Sequence, residues 1–173
     1  MPKFVVVMGG SGSGKNFYIE NHPTLSTYQL IDVDPKAGMG DDRTGLGSRV
    51  AQMKRELAKA LSDKVNIVHP TTGVNFSSLK NKLASARRLG YETTVVLIDT
   101  DPSIAHKNIQ KRVAAGGHGG GIPAWKVDKT NAEARANFED IKNDNTLVDN
   151  AFKVSGRAMI ESMLRQYVRL LIQ

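Results

Sequence analysis

The chain contains no cysteine, which excludes a disulfide framework, a thiolate metal site and a thiol nucleophile. Aromatic residues are few, 6% of 173 with a single tryptophan, and no apolar run approaches the roughly 20 residues that cross a bilayer. The segment from Met1 to Met8 leads into glycines and not into a cleavage site, so the expected location is the cytoplasm, away from membranes. Acidic residues are outnumbered, 17 Asp and Glu against 24 Lys and Arg, and the formal net charge of +7 suits a polyanionic partner. Nothing in the composition calls for an obligate protein partner. A hydrophobic fraction of 40% fills one core, so residues 1–173 are expected to form a single domain.

Phe4-Val5-Val6-Val7-Met8 is continuously apolar and β-branched, the pattern of a parallel strand buried on both faces. Further strands are expected at Tyr28–Val33, Val65–Val68, Thr93–Ile98 and Thr146–Val154. Between them, apolar residues at helical spacing predict helices over Leu46–Leu61 and Phe76–Leu89, and Asp101-Pro102 opens a third through about Val113. Residues 116 to about 130, with glycines at 116, 117 and 119–121, read as a mobile lid, followed by helices at Ala132–Lys142 and Ala158–Ile172. The stretch from Ala37 to Gly47 reads as a second loop. Alternating strands and helices predict an α/β fold: a three-layer sandwich with a parallel five-stranded sheet.

Gly9-Gly10-Ser11-Gly12-Ser13-Gly14-Lys15 satisfies G-x-x-x-x-G-K directly after a buried strand, the context that a phosphate-binding P-loop (Walker A motif) requires. Its glycines let backbone N–H groups turn inward onto phosphate oxygens, and Lys15 is expected to reach the β- and γ-phosphates of ATP. Asn16 replaces the usual Ser or Thr hydroxyl at magnesium, so Mg2+ is expected on the Asn16 amide oxygen or on a nearby carboxylate such as Asp32.

Strand alternation sends Asp32 and Asp34 the same way at the end of the second strand, where one carboxylate can accept a hydroxyl proton and the other can orient the acceptor or a magnesium water. His69, Thr71 and Thr72 are expected at the end of the third strand as weaker acceptor contacts. Lys111, Arg112, Lys126 and Lys129 bracket the glycine cluster and would bring positive charge to the transferring phosphoryl group on lid closure. Trp125, Tyr91 and Phe76 are candidate stacking platforms for a base.

With the P-loop, the segments Ile31-Asp32-Val33-Asp34, Ala86-Arg87-Arg88-Leu89-Gly90-Tyr91-Glu92 and Arg112-Val113-Ala114-Ala115-Gly116-Gly117-His118, followed by Ile122-Pro123, resemble the P-loop kinases that include zeta-toxin-type kinases and phage polynucleotide kinases. The resemblance spans most of residues 3–155 and implies a nucleotide-kinase-like fold, Asp34 as the base toward the acceptor hydroxyl, and Arg112 on the nucleotide phosphates. The later lid arginines of the zeta-type pattern correspond here to Lys126 or Lys129, a change that is not neutral for bidentate phosphate binding.

The expected function is therefore ATP-dependent phosphoryl transfer to a hydroxyl, and basic charge favours a nucleic-acid or nucleotide acceptor. Compact phage kinases that act on 5-hydroxymethyluracil within DNA, during hypermodification, are similar in size and kind, which would place the protein in a host cytoplasm. The alternatives are a 5′-hydroxyl polynucleotide kinase, a kinase for a free nucleotide or nucleotide sugar, and a non-catalytic nucleotide-binding module whose Asn16 reports lost activity.

Overall fold

The computed structural model describes residues 1–33, 46–116 and 122–156. Its strands are β1 (Lys3–Met8), β2 (Gln29–Leu30), β3 (Ile67–Thr71), β4 (Glu92–Asp99) and β5 (Asn150–Ser155). They form one parallel sheet in the order β2-β3-β1-β4-β5, so the P-loop strand lies at the centre. The helices are α1 (Lys15–Asn21), α2 (Leu46–Ser62), α3 (Phe76–Arg88), α4 (Pro102–Ala114) and α5 (Ala124–Ile141).

The uninterrupted apolar run of β1 works as its composition demands, because helices cover both faces of the sheet. Phe4, Val6 and Met8 join Met53 and Leu57 of α2, Leu79 and Leu83 of α3, and Phe138 and Ile141 of α5 in the larger core layer. Val5 and Val7 join Val68, Val96 and Ile98, with Ile19 of α1 beneath. Asp101 caps α4 by accepting from Ser103 N at 2.8 Å, with Pro102 in the first turn, as that dipeptide predicts. No helix among the described residues is long and apolar enough to cross a membrane.

Several boundaries differ from expectation. β3 begins at Ile67 and runs on through His69 and Pro70 to Thr71, so His69 lies inside the strand. β2 has only two paired residues, and beyond them the backbone ladder continues with Ile31 N on Val68 O at 3.0 Å. The next rung would need an N–H from residue 70, which is proline. α5 starts at Ala124, so residues 124–130 are its first turns and not part of a loop. β5 is shorter than Thr146–Val154, because Thr146 closes a turn on the Asp144 carboxylate at 2.5 Å. The expected loop after β2, most of the glycine cluster and the expected helix at 158–172 lie outside the described residues.

Candidate active site

The phosphate loop leaves β1 at the carboxyl edge of the sheet, where Gly9 N donates to Thr71 O at 3.2 Å. Gly12 and Gly14 take φ of 74° and 94°, the left-handed region that glycine enters without strain. The Lys15 ammonium lies over the loop's first limb, donating to Gly9 O at 2.8 Å and Gly10 O at 3.1 Å. These neutral carbonyls are weaker partners for an ammonium than phosphate oxygens.

Side chains from behind the loop hold it in place. Thr100 Oγ1 donates to Ser13 O at 2.7 Å, and Asn108 Nδ2 donates to Gly12 O at 2.8 Å. From α5, Thr130 Oγ1 accepts from Ser11 N at 3.0 Å, while Asn131 Nδ2 donates to Ser11 O at 3.0 Å and to Val127 O at 2.8 Å. A methyl group at Gly10 would lie 2.5 Å from Asn131 Cα, so helix and loop meet backbone to backbone. Neither Thr130 nor Asn131 stood out in the sequence. Both are buried, and they are polar where the α5 face meets polar backbone, which is why the helix was expected to start only at Ala132.

A second brace ties β4, α5 and β5 together. The Asp99 carboxylate accepts from Arg135 Nε at 2.5 Å and pairs with Lys153 Nζ at 3.2 Å, and Arg135 Nη2 also reaches Thr100 O at 2.9 Å. Burial alone would raise the Asp99 carboxyl, but the hydrogen bonds and charges of Arg135 and Lys153 hold it below the usual carboxylate range. Sequence reading missed this trio, which is linked only through the tertiary fold.

Among the acceptor-side residues, Asp32 is half-buried just beyond Ile31, at the carboxyl end of the edge strand. β3 intervenes between β2 and β1, so Asp32 stands about two strand spacings, roughly 10 Å, from the phosphate loop, room for two substrates to meet over the end of β3. Asp34 lies outside the described residues. Thr71 ends β3 beside the loop, its hydroxyl accepting from Gly73 N at 3.2 Å, and the Thr72 hydroxyl accepts from Val74 N at 3.5 Å. His69 is not at this rim. It is 2% exposed, its Nδ1 lies 2.7 Å from Ile31 O, and its Nε2 lies 3.0 Å from Lys82 Nζ. Burial, with the Lys82 charge added, lowers its pKa to about 4, so the imidazole is neutral at pH 7.

Arg112 is half-buried in the last turn of α4, one helical turn beyond Asn108 and hence on the same side as that loop contact. Lys126 and Lys129 are exposed on α5, and Lys129 pairs with Glu133 at 3.8 Å. Of the aromatic candidates, Tyr91 is buried with its hydroxyl 3.0 Å from both Ala60 O and Val65 O, between which its one proton is shared, which removes it as a platform. Phe76 lies under Lys80, whereas Trp125 is 64% exposed at the start of α5. An open depression of about 570 Å³ around Arg87 and Asp149 lies at the amino ends of the strands, the end opposite to where open parallel sheets bind ligands.

The glycine-permitted loop geometry and the adjacent lysine fit a nucleotide's phosphates. Among the described residues no three His, Cys, Asp or Glu side chains gather around a metal. The oxygen donors of Asn16 and Asp32 suit magnesium in the form it takes with nucleotides, held mainly by phosphates and water.

An AAA domain family matches residues 4–139. No curated protein matches the sequence. Among solved structures, the chain is similar to one from the PezAT chromosomal toxin–antitoxin system of Streptococcus pneumoniae, at TM-score 0.68 and 15% identity over 90% of this chain and 68% of that one. It is similar to a chain of the Pnkp1/Rnl/Hen1 RNA repair complex at TM-score 0.63 and 17% identity, covering 80% of this chain and 46% of that one. Deoxyadenosine kinase from M. mycoides with bound dCTP aligns at TM-score 0.54 and 15% identity over 96% and 99%. At such identities the likeness is one of fold.

Proposed function

The chain belongs to the AAA domain family and has a P-loop kinase-like fold, and on that basis we propose that it is an ATP-dependent phosphotransferase with an alcohol acceptor. The observation that carries this reading is the phosphate loop itself: four side chains, Thr100, Asn108, Thr130 and Asn131, hold it, with Lys15 over it and the carboxylate-bearing end of β2 across β3.

In the proposed step the acceptor oxygen attacks the γ-phosphorus, the bond to the β–γ bridging oxygen breaks, ADP departs, and the acceptor proton passes to the Asp34 carboxylate. Lys15 leaves the carbonyls of Gly9 and Gly10 for the β- and γ-phosphates and neutralises the charge developing there. Asp32 orients the acceptor hydroxyl, and Arg112 adds charge from α4. Asn16, beside the loop, or the Asp32 carboxylate would hold magnesium or one of its waters, and the ion would withdraw charge from the phosphates. Lys126 and Lys129, exposed on the first turns of α5, would add positive charge near the transferring group.

The acceptor placed first is the hydroxymethyl group of 5-hydroxymethyluracil in DNA. The net charge of +7 supports a polyanionic acceptor, and the exposed Trp125 supplies a flat apolar surface for a base. The test is transfer of labelled γ-phosphate to hydroxymethyluracil DNA, ordinary 5′-hydroxyl DNA, and a panel of nucleotides and nucleotide sugars. Internal label supports the base kinase and end label a polynucleotide kinase. Label on small molecules alone removes the nucleic-acid acceptor, and ATP binding with no transfer overturns the enzyme reading. Asp34→Asn should lower kcat by roughly 10²–10⁴-fold.

A further inference from the structure

In a parallel ladder the N–H groups and carbonyls that face one neighbour alternate along the strand. Between β2 and β3 the rungs are Gln29 N to Asn66 O at 2.9 Å and Ile31 N to Val68 O at 3.0 Å, with Gln29 opposite Ile67 and Leu30 opposite Val68. The same pattern puts the next donor at the backbone nitrogen of residue 70, aimed at Ile31 O. Residue 70 is proline, which has no N–H to give, so the buried Ile31 carbonyl would lose its partner just where the chain enters Asp32.

The side chain next to that proline fills the gap. His69 Nδ1 lies 2.7 Å from Ile31 O, and a carbonyl can only accept, so Nδ1 carries the proton. Lys82 Nζ, a donor, lies 3.0 Å from Nε2, which fixes the opposite nitrogen as acceptor and selects that tautomer. The two contacts are mutually consistent only for a neutral ring.

We propose that His69 is a positioning residue: its imidazole replaces the ladder donor that Pro70 lacks, Lys82 locks its tautomer, and together they fix the strand end that presents Asp32 to the acceptor. The link to catalysis rests on the kinase reading of that strand end. The clamp itself does not, and the experiment separates the two.

His69→Leu, His69→Asn and the double variant His69→Leu/Pro70→Ala are compared by amide hydrogen exchange over residues 29–33 and by steady-state kinetics. His69→Leu should speed exchange at Ile31 and Asp32 on the order of tenfold and lower kcat by a similar factor, with KM for ATP unchanged. His69→Asn, whose amide nitrogen takes the place of Nδ1, should keep both near wild type. Adding Pro70→Ala to His69→Leu should restore both, because alanine returns the backbone donor. Should His69→Leu fail to fold, recovery of folding in the double variant supports the clamp.

A double variant no better than His69→Leu, in exchange or in folding, overturns it. Exchange that responds and recovers while kcat stays constant leaves the clamp standing and overturns the positioning role. The same exchange result in a wild-type protein that transfers phosphate to no acceptor overturns the kinase reading and not the clamp.

Discussion

Among the described residues, four side chains from β4's end, α4 and α5 grip the phosphate loop, whereas β2 keeps its last rung through one imidazole. Phosphoryl donors present the same triphosphate to every kinase, and amides that stabilise it must be aimed before it arrives, which rewards redundant bracing. Acceptors differ. The last rung of β2 rests on one net hydrogen bond, worth roughly 1 kcal/mol. On the proposed kinase reading, the donor half is thus a fixed frame and the acceptor half an edge attached to it.

That contrast can be broken most severely at the donor side. Lys15→Met should lower kcat by roughly 10²–10³-fold while unfolding midpoints stay near wild type, as read by single-turnover transfer and denaturant melts. The acceptor edge is sensitive to acid instead. The folded chain holds His69 at about 4 against the ordinary 6.5, through burial first and the Lys82 charge second. Burial, with the Lys54 charge added, also lowers the pKa of Lys82. Below 6.5 the unfolded chain takes up a proton that the folded one refuses. The contribution is therefore whole above pH 6.5 and lost as pH falls toward 4, a decline of about 3 kcal/mol. Urea melts at several pH values measure it, and His69→Asn should flatten that part of the profile.

A smaller effect comes from Gly10→Ala. The new methyl group meets backbone of Asn131, which no rotamer change can move aside, so α5 must back away from the loop at a cost of about 1–3 kcal/mol. Thermal melts should register that loss together with a raised KM for ATP. Trp125→Ala sharpens the contrast from its weak end: stability should change by less than about 0.5 kcal/mol, and any loss should fall on KM for a nucleic-acid acceptor.

The glycine loop was legible in the sequence, since Gly9 to Lys15 is a continuous stretch that directly follows a buried strand. The sheet was legible for the same reason, each buried strand being a local apolar run. What supports the loop was not. Thr100, Asn108, Thr130 and Asn131 lie 87 to 120 residues from their partners and look like ordinary polar positions. The start of α5 was missed because its inward face carries Thr130 and Asn131 where periodicity seeks apolar side chains. His69 was expected at the rim because β3 was ended too early. Proline usually argues against a strand interior, yet Pro70 directs its missing donor toward a neighbour that the adjacent side chain satisfies.

The strand order also bears on how the chain is made. β1 lies between β3 and β4, and its partners on either side start only at Ile67 and Glu92. A ribosome therefore releases the most apolar strand of the protein long before either edge of it can be paired. During that interval Phe4 to Met8 is an unprotected, uncharged β-forming segment, the kind that associates between chains. Emergence of β4 is the event that ends the exposure, so slower synthesis between β1 and β4 lengthens the interval in which that strand can associate wrongly.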